Sequence, residues 1–155
     1  MQTLSLRIEY DRLAEHELPA GEAALCAAAK AATALAYAPY SAFRVGAAAR
    51  LATGELVRAA NLENAAYPQC LCAEATLLGA VHTQYPGAAI EQIAIAVDAA
   101  AERTEVAAPC GSCRQQLLEA RARQGRALGV LLVLPEGGAL RFADAADLLP
   151  LGFAL

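Results

Sequence analysis

The residues with the clearest chemical potential are cysteines. Cys110-Gly-Ser-Cys113 is a C-x-x-C pair with Pro109 immediately before it. A proline there suits the start of a helix, and cysteines at i and i+3 of a first turn face the same way. A helix N-terminus also lowers thiol pKa, which makes both good thiolate donors. The pair alone is ambiguous between a redox dithiol and half of a structural zinc site. Cys72-Ala73-Glu74 narrows the choice, because it adds a third thiolate with a carboxylate two residues on. Three protein ligands leave tetrahedral zinc one open position for water, whereas a structural site takes four. Zinc so placed brings the pKa of water to roughly 7. Glu74 is badly placed to bind the same metal but can reach water and substrate, the position of a general acid/base.

The other candidates for metal binding are weaker. His16 and His82 are the only histidines, and neither sits in an H-x-E pattern. Cys70 reads as a spare thiol on the side away from Cys72, and Cys26, in an alanine-rich helical run, reads as a small core residue. Five cysteines in a chain without secretory features favour metal or catalytic use over a disulfide framework.

Taken in order, Cys72-Ala-Glu74 and Pro109-Cys110-Gly-Ser-Cys113-Arg-Gln resemble the signature of the cytidine deaminase superfamily. The resemblance runs from Tyr37-Ala-Pro-Tyr-Ser41 to Leu148-Leu-Pro150 and is nearest to the small, homotetrameric, three-cysteine type. It implies a hydrolase that converts cytidine and 2′-deoxycytidine to uridine and 2′-deoxyuridine plus ammonia, in pyrimidine salvage. It also implies one Zn²⁺ per chain held by Cys72, Cys110 and Cys113. Glu74 would take a proton from water, the oxygen would attack C4, and Glu74 would protonate N3 and then the leaving amine.

On the same resemblance, Asn61 and Glu63 in Asn61-Leu-Glu63-Asn-Ala-Ala-Tyr67 hydrogen-bond the ribose. Phe43 packs on the pyrimidine, the main chain around Ala73 reads the base edge, and Phe153 reaches a neighbouring subunit's site. Without the motifs, Asn61 and Asn64 would be ordinary turn residues and Phe43 a core residue. The chain departs from the family at Ala75, where three-cysteine members commonly carry an Arg that donates to the thiolates. Three thiolates on Zn²⁺ leave a net negative charge and a weaker Lewis acid. Helix N-termini supply part of the compensation, and Arg114 is the nearest sequence candidate for the missing donor.

The elements that must position these residues alternate between strand and helix. Leu4 to Tyr10 alternates apolar and polar residues and reads as a strand. A helix follows Pro19 and Gly21 and runs to about Ala36. Phe43 to Leu51 and Leu56 to Ala60 form a hairpin across Thr53-Gly54, and a helix covers Cys72 to His82. Ile93 to Val97 is a buried strand, and a helix opens at Pro109 and ends near Gln124. Gly129 to Leu134 and Ala139 to Phe142 pair across Glu136-Gly137-Gly138, and Ala143 to Leu149 forms a short last helix. This pattern is an α/β layered fold with helices covering a sheet. The resemblance sharpens it to a three-layer α/β/α sandwich around a mixed sheet. One domain over 1–155 is expected, with residues 1 to about 18 as an N-terminal extension.

Composition excludes several classes. At 155 residues with 57% hydrophobic and 18% charged residues, the chain has material for a core and is not a disordered segment. No apolar run is long enough to span a bilayer, and no signal-peptide pattern opens the chain, so a cytoplasmic protein is the default. A formal net charge of -4 argues against nucleic acid as partner, and Arg114, Arg121, Arg123 and Arg126 read as a solvated helix face. The expected partners are a small nucleoside and other copies of the chain in a homotetramer. The rival readings are a deaminase of a related small substrate such as blasticidin S, a zinc-binding module without catalysis, and, least favoured, a nucleic-acid editing deaminase.

Overall fold

The computed structural model describes residues 1–98, 106 and 108–153. Its strands are β1 (Asp11–Leu13), β2 (Val45–Leu51), β3 (Leu56–Ala60), β4 (Ile90–Val97), β5 (Gly129–Val133) and β6 (Ala139–Phe142). The α-helices are α1 (Ala20–Ala32), α2 (Ala73–Gln84) and α3 (Gly111–Gln124). Among the described residues the strands form one sheet in the order β1-β6-β5-β4-β2-β3. The β4–β5 pair is parallel and the other neighbours are antiparallel. A parallel pair needs a crossover connection, and α3 lies on the chain between β4 and β5.

Side-chain alternation divides the sheet's two faces between the helices. Ala47, Ala49, Ile93, Ile95, Val130 and Leu132 pack with Leu77 of α2 and Leu117 of α3. Ala48, Ala94, Ala96, Leu131 and Val133 face the other way, onto Leu25, Cys26 and Ala29 of α1. The result is α1, sheet, then α2 with α3: the expected three layers. Burial of both faces explains why β4 and β5 are nearly continuous apolar runs. Alanine on the α1 side permits a close approach, and Gly46 marks its limit. A Cβ there would stand 2.2 Å from the Ala29 carbonyl oxygen.

The N-terminus differs from expectation. Leu4 to Tyr10 is not a strand; the pairing residues are Asp11–Leu13, which lie opposite Arg141, Leu140 and Ala139 of β6. Alternation needs a partner, and β6 ends at Phe142, so the residues before Tyr10 run past the end of the sheet. Tyr10 stacks on Phe142 with centroids 5.1 Å apart. The expected extension thus contains a sheet strand. Other differences are at boundaries: α1 passes into a 3-10 turn at Thr33–Leu35, β4 begins at Ile90, and the last helix is a 3-10 turn, Ala145–Leu148.

Candidate functional site

Two helix N-termini meet at the site. Cys72 is the N-cap of α2 and Cys110 the N-cap of α3, both in extended backbone conformation, and Cys113 follows in the first turn of α3. Gly125 ends α3 in the left-handed conformation, φ 65°, as a C-terminal glycine does. The Sγ atoms of Cys72, Cys110 and Cys113 all lie within 4.8 Å of one another. Sulfurs around tetrahedral zinc stand about 3.8 Å apart, given Zn–S bonds of about 2.3 Å. The donor set therefore fits zinc in kind, number and spacing, and no histidine joins it among the described residues.

The electrostatics fit as well. Burial pushes the Glu74 carboxyl upward, opposed by its own amide N–H and by the Cys113 thiol. Burial also pushes up Cys113, reinforced by the charges of Glu74 and Cys72. Cys72 is raised for the same first reason, with Cys110 and Glu74 adding to it. At Cys110 burial again opposes the thiolate, but the amides of Cys113 and Ser112 face the sulfur and the balance falls below the ordinary thiol value. These acids crowd one another at a spot where a divalent cation would relieve the repulsion.

A cavity of about 480 Å³ opens beside this cluster, and Phe43, Asn61, Glu63, Ala73 and Glu74 line it together with Cys72 and Cys110. Asn61 fastens the loop that carries Phe43: its Oδ1 accepts from the Val45 N–H at 2.8 Å, and its Nδ2 donates to the Phe43 carbonyl at 2.9 Å. Glu63 holds the preceding turn. Its Oε2 accepts from the Tyr40 and Ser41 N–H groups at 2.9 and 3.3 Å, and its Oε1 accepts from the Ser41 hydroxyl. The Ser41 hydroxyl and these amides hold the Glu63 carboxyl below the usual carboxylate range. Ala42 sits inside the turn at φ 55°, a conformation that costs a residue with a Cβ roughly 1–2 kcal/mol.

Three sequence expectations change. Arg114 does not serve the thiolates: its Nε donates to the Pro109 carbonyl at 2.8 Å and its Nη1 to the Leu148 carbonyl at 3.1 Å. The reason is position, since the 3-10 turn at 145–148 packs against α3 and presents Leu148 to the guanidinium. The arginine group is no uniform solvated face either, because Arg121 pairs with Asp144 at 2.9 Å. Cys70 stands apart from the three-sulfur cluster, its Sγ accepting from the Asn64 N–H at 3.2 Å, yet it lines the same cavity as Cys72. Phe153, expected at a neighbouring subunit's site and not at this chain's own, is 70% exposed and does not line the cavity; its main chain is tied to Gln115. Ser41 was not singled out from sequence. Its i, i+2 bond to the Phe43 N–H, 3.0 Å, is the local turn signal that could have marked it.

Comparison with known proteins agrees with this geometry. Residues 21–126 match the cytidine and deoxycytidylate deaminase zinc-binding region. Cytidine deaminase of Halalkalibacterium halodurans is 44% identical over 84 residues, covering 54% of this chain and 60% of that protein. Cytidine deaminase of Mycobacterium tuberculosis is 45% identical over 85 residues, covering 54% and 59%. The sequence match thus spans about three-fifths of these curated relatives. The crystal structure of cytidine deaminase from Burkholderia pseudomallei superposes with a TM-score of 0.72 at 41% identity, covering 84% of this chain and 97% of that one. That from Mycobacterium tuberculosis gives 0.66 at 36%, covering 85% and 96%.

Proposed function

The chain belongs to the cytidine and deoxycytidylate deaminase family, and on that premise we propose that it hydrolyses cytidine and 2′-deoxycytidine to the uridine nucleosides and ammonia. The observation that carries the reading is one cavity whose wall includes a buried carboxyl, two polar groups beside an aromatic ring, and Cys72 and Cys110 of the three-thiol cluster that Cys113 completes. Cys72, Cys110 and Cys113 would hold one Zn²⁺. When bound, zinc supplies a Lewis acid that makes hydroxide available near neutral pH.

Glu74 does the proton work. Its burial raises its pKa towards the range in which a carboxyl both accepts and returns a proton. It takes a proton from the attacking water and gives it to N3 as the bond to C4 forms. It then takes the proton of the new C4 hydroxyl and passes it to the departing amine, so that ammonia leaves and the C4 carbonyl remains. Asn61 and Glu63 bind the sugar and Phe43 packs on the base. The Ala73 main chain, at the first turn of α2, reads the base edge. Phe153 serves the site of a neighbouring copy in a homotetramer, consistent with its exposure here.

The same reading takes 1–155 as a single deaminase domain with residues 1 to about 18 as an N-terminal extension. It places the protein in the cytoplasm, in pyrimidine salvage, without nucleic acid as a partner. No described helix is long and apolar enough to cross a membrane.

The test follows the absorbance of zinc-quantified protein mixed with cytidine, with ammonia measured in parallel. Turnover at about one zinc per chain is the expected result. Full zinc without turnover would overturn the cytidine assignment and favour a different small amine-bearing substrate, for which Ala75 would be the first residue to examine.

A further inference from the structure

We propose that Ser41 is a positioning residue for sugar recognition, setting how the Glu63 carboxylate meets the nucleoside. The inference rests on the deaminase reading above. The Ser41 hydroxyl donates to Glu63 Oε1 and accepts the Phe43 N–H, so one oxygen links the sugar-binding carboxylate to the residue that carries the ring. A carboxylate has about four acceptor positions. Ser41 fills two of them, through hydroxyl and amide, and the Tyr40 amide fills a third. The remaining position suits a single sugar hydroxyl, and its direction is set by the three bonds already made. Glu63 cannot swing to another rotamer without releasing all of them.

Phe43 is held independently, because Asn61 bonds its carbonyl and the Val45 amide. Loss of the Ser41 hydroxyl therefore loosens Glu63 at Oε1 first, with Oε2 still on the Tyr40 and Ser41 amides, and disturbs the base-packing ring less. The turn itself keeps its main-chain bonds, including Ala42 N–H to the Ala38 carbonyl at 3.1 Å. A defect confined to the sugar end of the substrate is what separates this role from general support of the fold.

The experiment compares zinc-quantified wild type, Ser41→Ala and Ser41→Thr on cytidine and on 2′,3′-dideoxycytidine, which lacks the 2′- and 3′-hydroxyls and keeps the 5′-hydroxyl. Uridine is titrated calorimetrically into each protein, giving a binding readout that does not depend on turnover. Ser41→Ala is expected to raise KM for cytidine and Kd for uridine about tenfold, as for a lost bond to a charged group, with kcat within about threefold. Ser41→Thr keeps the hydroxyl and recovers most of the affinity, while KM for the dideoxynucleoside changes by less than about threefold in Ser41→Ala. An equal rise on both nucleosides, or an unchanged Kd for uridine, overturns the proposal. Wild type that binds uridine without deaminating cytidine overturns the deaminase reading alone, and the uridine Kd of Ser41→Ala then decides on Ser41. Wild type that does neither overturns both.

Discussion

The Arg114 guanidinium donates to the carbonyl of Pro109, the residue just before Cys110, at 2.8 Å. Its second donation, to Leu148, joins the start of α3 to the turn that follows β6. Both bonds involve a charged donor in a partly buried setting, where each contributes about 1.5–3 kcal/mol. Arg114→Ala should therefore lower unfolding stability in urea by roughly 1–3 kcal/mol after relaxation. Arg114→Lys should recover less than half, because one ammonium cannot reproduce a fork aimed at two carbonyls. An alanine variant as stable as wild type would show that the brace carries nothing.

Glu74→Gln should keep zinc at the wild-type stoichiometry and lose turnover by about 10²–10⁴-fold, the usual worth of a general acid/base. Metal analysis and steady-state kinetics on one preparation check both halves. Near-normal rates in this variant would remove Glu74 from the mechanism. Cys113→Ala gives the opposite pattern, loss of metal along with activity.

Thiol chemistry offers a count. In zinc-loaded protein at pH 8, a soluble alkylating reagent should label Cys70, which is exposed, and spare Cys26, which is 4% exposed with its pKa pushed up to about 11 by burial. A chelator should then open Cys72 and Cys110, both exposed, before Cys113, which is buried. Peptide mass spectrometry reads the order directly. Early labelling of Cys26 would contradict the packing of α1 on the sheet.

Gly46→Ala should destabilise the fold by 1–3 kcal/mol or more, the range of overpacking, because the new methyl meets backbone and not a yielding side chain. Thermal melting of the zinc-loaded protein measures it. Ala48→Gly, two residues on and facing the same helix layer, is the control for a change without added bulk.

The parts of this architecture that were readable from sequence are those with local causes. Prolines, glycines and the i, i+3 cysteine spacing fix where α3 begins and ends, and apolar continuity marks β4 and β5. The N-terminal strand was not readable, because Leu4 to Tyr10 alternates as well as any strand while its place depends on where β6 stops. The role of Arg114 is illegible for a similar reason: its partner Leu148 is far along the chain, and nothing near Cys113 announces it. The hold of Glu63 on the Ser41 turn likewise arises only once the loops before β2 and after β3 lie side by side.

The three sulfurs come from two places, Cys72 at one helix and the Cys110–Cys113 pair at another, with β4 on the chain between them. A metal held there closes a loop of the polypeptide much as a covalent cross-link would. Closing it removes configurations from the unfolded chain as well as adding bonds to the folded one. Zinc affinity and unfolding cooperativity are then two readings of a single quantity. A substitution that weakens the junction of α2 and α3, however distant from the sulfurs, should be felt in both.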